Sequence, residues 1–305
     1  MTRYRMIWRA PAWSRRFCFA RTLYKLFTPV FISLFILVSC VGYVSTGGKT
    51  ITAFCGAASK PAMEEAAQAF TRQTGIKVYL NFGGSGTVLS QMKIAKEGDL
   101  YIPGSPDYMV MAERDGVVES GSAKIIAYLI PSIVVQPGNP KNIQTLADLA
   151  KPGIKVGIGN PESVCVGLYA FEILEHGGLL EAVGKNVVTY AGSCDKTATL
   201  IAFKSVDAII GWDVFPAWNP GTMDAVRLNP EQLPRLAYIP VAMSNFSQDK
   251  ENASKFMDFL ISAEGKKIFD KWGYITSENE VRKFAPRAVI GGEYKLPGNY
   301  RPLVK

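Results

Sequence analysis

Histidine is nearly missing from this sequence: among 305 residues there is one, His176. That scarcity removes the commonest metal ligand and the commonest general base from almost every position. His176 itself stands in Glu175-His176-Gly177-Gly178, which reads as the end of a helix. No metal, no cofactor and no acyl-transfer triad is therefore expected. Acid is missing from the first 40 residues, which hold seven basic residues: Arg3, Arg5, Arg9, Arg15, Arg16, Arg21 and Lys25. The formal net charge of +8 comes almost wholly from that head, because taking those 7 from the 34 basic residues leaves 27 against 26 acids. A nearly neutral body has no field with which to hold a phosphate backbone, so a nucleic-acid partner is not expected. Hydrophobic residues make up 48% of the chain, enough for a packed core.

The apolar run at 26–38 is broken by Thr28, Pro29 and Ser33 and falls short of the roughly 20 residues of a spanning helix. Behind a basic head it reads as the core of a signal peptide. It ends in Leu37-Val38-Ser39-Cys40, which resembles a bacterial lipobox, and that resemblance implies lipidation of Cys40 after cleavage. An uncleaved anchor is the alternative. Either way, the rest of the chain is expected outside the cytoplasm, held at a membrane, with residues 41–49 as a tether. Cys18 leaves with the signal. Cys55, Cys165 and Cys194 remain, an odd number that allows at most one pair.

From residue 50 onward the chain alternates between short apolar strands and amphipathic helices, the pattern of an α/β fold with mainly parallel sheets. Strands at 51–54 and 76–80 each run into a corner of small residues, Gly56-Ala57-Ala58-Ser59-Lys60-Pro61 and Phe82-Gly83-Gly84-Ser85-Gly86-Thr87, that opens a helix. A helix N-terminus carries unpaired N–H groups and partial positive charge, and serine adds a donor. Further on, Asn160–Gly167 and Gly192–Thr197 repeat the arrangement. Four such corners on two facing lobes would surround a small anion with neutral donors. The extended stretches at 127–135 and 236–243 are the candidate hinges. For Ser59 and Ser85 the plainer reading is helix capping, for Trp212 core packing, and for Lys60 a solvated charge.

Several segments together resemble the periplasmic molybdate/tungstate-binding proteins of ABC importers. They are Ala57-Ala58-Ser59, 70–78 (FTRQTGIKV), Gly83-Gly84-Ser85-Gly86, Gly98-Asp99-Leu100-Tyr101-Ile102, Gly159-Asn160-Pro161-Glu162 and Val206-Asp207-Ala208. The resemblance covers about 50–275. It implies a type II periplasmic-binding-protein fold, two lobes joined by two hinge segments. It also implies capture of molybdate or tungstate, a permease partner in the cytoplasmic membrane, a monomer and no catalysis. The implied ligand-binding residues are Ser59 and Ser85, backbone N–H groups near Val164, Cys165 and Cys194, and Trp212 where the family often has tyrosine. The implied segmentation is a signal at 1–39, Cys40 and a tether to 49, lobe 1 at 50–126 with 244–305, and lobe 2 at 127–243 including the hinge strands.

A fully ionised oxyanion offers only acceptors and suits such a site. Hydrogen phosphate carries a proton and wants an inward carboxylate. Glu162, Asp195 and Asp213 stand near the corners and are expected to point outward, as caps and dipole partners. Sulfate, phosphate or another small ligand is the alternative cargo. The rival class is a serine hydrolase: Ser193-Cys194-Asp195-Lys196 fits Ser-x-x-Lys, but neither Ser-Asp-Asn nor Lys-Thr-Gly accompanies it.

Overall fold

The computed structural model describes residues 49–304. The expected signal segment, the expected lipidation site Cys40 and the expected tether up to residue 48 lie outside them. In chain order, β1 (Thr50–Gly56) leads through a 3-10 turn at Ala57–Ser59 into α1 (Lys60–Thr74). Then come β2 (Lys77–Gly83), α2 (Ser85–Ala95), β3 (Leu100–Ile102), α3 (Pro106–Arg114), β4 (Lys124–Leu129) and β5 (Pro131–Val135). The middle of the chain forms β6 (Val156–Gly159), α4 (Cys165–His176), α5 (Leu180–Gly184), β7 (Val187–Ala191), α6 (Cys194–Ala202), β8 (Ala208–Trp212), α7 (Phe215–Trp218) and β9 (Asp224–Arg227). The last part forms β10 (Arg235–Met243), α8 (Lys250–Ile261), α9 (Ala263–Lys271), α10 (Glu278–Arg282) and β11 (Val289–Ile290).

Local chemistry accounts for many of these limits. Pro61 sits in the first turn of α1, where its missing N–H costs nothing, and Gly75 ends that helix at φ 72. The Asp249 side chain caps α8 and Ser262 caps α9, each accepting an amide of the first turn. β5 and β8 are buried along their whole lengths, as strands covered on both faces must be, which explains their continuous apolar character.

The strands make two sheets. The first runs β11-β10-β3-β1-β2 with β4 also on β10, and the second runs β7-β6-β8-β5-β9. Each has a parallel core that antiparallel strands join. β2, β1 and β3 are parallel, as are β7, β6 and β8, while β10 and β5 join them antiparallel. Those two antiparallel strands are where the chain changes sheets. The stretch expected as one hinge at 127–135 is two strands in different sheets, separated only by Ile130. The return crossing lies between β9 and β10, within 228–234, and not at 236–243, which is bound into the first sheet by β4. Pairing with both β3 and β4 leaves β10 no freedom to act as a hinge along its length.

Behind the crossings lies a buried ion network. Arg235, at the head of β10, donates to both Glu172 carboxylate oxygens from α4 (2.7–3.0 Å) and pairs with Asp107 of α3 at 3.0 Å. Its guanidinium also lies over the Tyr169 ring, 4.6 Å from the centroid. The C-terminal segment closes over this network. Arg235 donates to the carbonyls of Gly291 and Gly292, and the Tyr294 amide donates to Asp107. Further along, the Tyr294 hydroxyl donates to Glu175, Tyr300 packs edge-on against Phe171, and the Leu303 amide donates to the Tyr190 hydroxyl. The tail thus starts on the first sheet and finishes on the second.

Candidate functional site

Parallel neighbours end at the same edge of their sheet, so β2, β1 and β3 deliver three turns side by side. Ser59 closes the turn after β1, and its hydroxyl donates to the Gly56 carbonyl at 3.3 Å. Ser85 opens α2, and its hydroxyl oxygen accepts the Gly104 amide at 3.0 Å. The turn is tight: a Cβ on Gly56 would come within 2.6 Å of both the Ser85 hydroxyl and the Gly104 nitrogen. Two buried tyrosines hold the serine turns from behind, Tyr101 donating to the Ser85 carbonyl (2.9 Å) and Tyr274 to the Ala58 carbonyl (2.7 Å).

The second sheet supplies the opposing wall. Cys165 is the first residue of α4 and Cys194 the first of α6, and their sulfurs stand 3.3 Å apart as free thiols. Burial, followed by the Cys165 thiol, pushes the Cys194 pKa well up, while the Val166 amide and the Trp212 indole pull it the other way. Burial wins, so Cys194 stays an uncharged thiol. Trp212 ends β8 opposite Pro131, beside the chain crossing, and packs edge-on against Tyr169. Its indole N–H faces Cys194 without hydrogen-bonding geometry, and the buried Nε1 has no acceptor. Val164 corrects one expectation: its amide donates to the Asn160 carbonyl at 2.8 Å and is spent within its own turn. At this corner the amide of Cys165 remains, at the helix's first position outside the intrahelical ladder.

The two walls meet. The Gly86 amide donates to the Ser163 carbonyl across the cleft at 2.9 Å. A Cβ on Gly84 would come within 2.6 Å of the Ser163 oxygen and 2.9 Å of the Gly192 oxygen. Likewise a Cβ on Gly104 would come within 2.5 Å of the Cys165 sulfur. Ser59, Ser85, Val164, Cys165, Cys194 and Trp212 are therefore brought together and are each at most 1% exposed. The lobes are closed on one another. At the rim Lys60 reaches Asp195 at 3.4 Å, so this lysine bridges the lobes instead of standing free in solvent.

The three acids near the corners turn away from the centre. Asp195 takes Lys60 and the Ser193 hydroxyl, Asp213 takes Arg227 at 3.2 Å, and Glu162 is exposed. Ser193 is thus bound to Asp195, and Lys196 of the Ser-x-x-Lys motif is exposed. Among the described residues, the buried side-chain atoms without partners include the donors Ser105 Oγ, Tyr169 Oη, Trp212 Nε1 and Trp218 Nε1. Sequence reading left the third turn, Pro103-Gly104-Ser105, out of the site. Its signal was available, since small residues after a strand mark this turn as they mark the other two. Nothing local in the sequence points to Tyr274, which arrives from a distant part of the chain. A cavity of about 470 Å³ between α1 and β2 on lobe 1 touches none of the six residues.

Two α/β lobes, linked by two crossings and closed over a buried polar centre, define a bilobal ligand-binding protein of the type II periplasmic class. The chain belongs to the bacterial extracellular solute-binding protein family, whose model matches residues 51–275. It is a binder and not an enzyme. It is similar to a putative binding protein of Haemophilus influenzae, 24% identical over 74% of this chain and 90% of that one. It is also similar to the molybdate-binding protein of Rhodobacter capsulatus, 23% identical over 79% and 93%. Among solved structures, the periplasmic molybdate-binding protein of Azotobacter vinelandii matches with a TM-score of 0.65 at 19% identity, over 75% of this chain and all of that one. The sulfate-binding protein of Mycobacterium tuberculosis matches at 0.68 and 19%, over 80% and 94%. At these identities the structures share the fold.

Proposed function

We propose that this protein is the extracytoplasmic, lipid-anchored binding component of an ABC importer and that it captures a tetrahedral oxyanion, molybdate or tungstate, between its lobes. In this reading the Ser59 hydroxyl turns from its long bond to the Gly56 carbonyl and, with the Ser85 hydroxyl, donates from lobe 1. The Cys165 and Cys194 corners donate from lobe 2, and the Trp212 indole completes the wall. We take lobe 1 to be the first sheet with its helices and lobe 2 to be the second sheet, β5 to β9. Closure then presents both lobes to a membrane permease.

The observation that carries the reading is the Trp212 N–H, fully buried with no acceptor. An unmet buried donor costs about 1–3 kcal/mol, and a guest made only of acceptors relieves it. The outward-turned acids support the same choice. None of the three corner acids turns inward to accept the proton that hydrogen phosphate would bring. The names of the molybdate-binding relatives agree with this class of guest. The sulfate-binding neighbour keeps sulfate as the second reading, because sulfate has the same all-acceptor chemistry.

Calorimetry of the full chain in detergent, against molybdate, tungstate, sulfate and phosphate at neutral pH, tests it. Molybdate and tungstate are expected to bind most tightly, sulfate more weakly and phosphate not at all. Tightest binding of phosphate, or of none of the four, would sink the proposal.

A further inference from the structure

The paired thiols carry chemistry that oxyanion capture does not require. Cys165 and Cys194 begin neighbouring helices of the same lobe, so their approach does not depend on closure. Their sulfurs are at 3.3 Å, and a shift of little more than 1 Å would bring them to the roughly 2.05 Å of a disulfide. Cys55, the third cysteine of the described residues, lies in β1 with its thiol directed to the Ala53 carbonyl. What covers the pair is the other lobe: Gly104 lies against the Cys165 sulfur. The family is extracellular, and such compartments sustain disulfides.

We infer that Cys165 and Cys194 form a reversible disulfide site, reachable only when the lobes are apart, whose oxidation dismantles the thiol wall of the cleft. The oxidant is a protein or small-molecule disulfide. When the lobes part and water reaches the pair, one cysteine gives its proton to solvent and, as thiolate, attacks the oxidant, forming a mixed disulfide with release of one thiol. The second cysteine then attacks the sulfur of the first, forming the Cys165–Cys194 bond and releasing the second thiol. Two protons and two electrons leave the pair, and the oxidant becomes two thiols. The product has no S–H donor, only sulfur lone pairs facing the guest. One S–H already points to the neighbouring sulfur, so oxidised protein loses one donor to the anion and should bind it more weakly, by about 2- to 10-fold for one lost neutral hydrogen bond. This last consequence rests on the oxyanion reading; the bond itself does not.

The test treats the full chain in detergent with oxidised glutathione, then maps cross-linked peptides and free thiols by mass spectrometry. A Cys165–Cys194 cross-link that dithiothreitol reverses, with Cys55 free, is expected. No cross-link, or one through Cys55, overturns the site. Gly84→Ala, whose added methyl holds the lobes apart, should oxidise several times faster than the unaltered chain; equal rates overturn the closure dependence. Molybdate titrations of the reduced and oxidised forms read the wall. Equal affinity in the two overturns its dismantling. Absence of binding by both rejects the oxyanion reading, and with it the claimed loss of affinity, while the cross-link stands on its mass.

Discussion

At the scale of single residues, the serines and the tryptophan separate capping from binding. Ser59 makes one long hydroxyl bond, so Ser59→Ala should cost little stability, within about 0.5–1.5 kcal/mol. Ser85 accepts a buried amide, so Ser85→Ala strands the Gly104 N–H and should cost about 1–3 kcal/mol in chemical denaturation. Both should weaken molybdate in calorimetry, and an unchanged affinity in both would leave them as caps only. Trp212→Phe keeps an aromatic ring but deletes the N–H. Its affinity should fall by about 10- to 100-fold, the worth of a hydrogen bond to a charged group. The thermal midpoint should change little, because loss of an unpaired buried donor offsets the packing lost to the smaller ring. Ser59 and Ser85 were legible in the sequence because small residues after a strand and before a helix leave few other geometries. The thiol contact and the spent Val164 amide were not legible, since each depends on how two turns lie against one another.

Elements carry the closure. The N-terminus of α2 is capped from the opposite lobe by the Ser163 carbonyl, and Gly84 makes that approach possible. Gly84 has φ −61 and ψ 142, which alanine adopts without strain. Gly84→Ala should therefore leave each lobe folded and the thermal midpoint nearly unchanged. Affinity should fall by roughly tenfold or more, because the closed form becomes rare. Small-angle scattering should show a larger radius of gyration in saturating molybdate than for the unaltered chain. If scattering and affinity both match the unaltered chain, closure does not pass through this contact. The strands and long helices were readable from periodicity. The stretch 127–135 does contain a crossing, at Ile130, whereas 236–243 lies just beyond the other, and the sequence pattern alone does not locate either point. An apolar run such as 124–135 looks the same whether it lies in one sheet or two, and only the pairing of β4 with β10 and of β5 with β8 distinguishes them.

For the whole molecule, the tail is the third connection between lobes. Deleting residues 291–305 removes the two carbonyls that accept from Arg235 and the amide that donates to Asp107; Arg235 and Asp107 are both buried. Loss of thermal stability by several degrees is expected, since roughly 1–3 kcal/mol attaches to each group left unpaired. Affinity should fall as well, with the lobes less firmly joined; a truncated chain with native stability and affinity would show the tail to be passive. The same arrangement also fixes an order of assembly. The second sheet comes from one unbroken stretch, β5 to β9, whereas the first waits for β10 and β11 near the end of the chain. As the polypeptide emerges from its N-terminus, the later-encoded half is thus the earlier one to be complete, and the half that starts first must be sheltered until the final strands arrive.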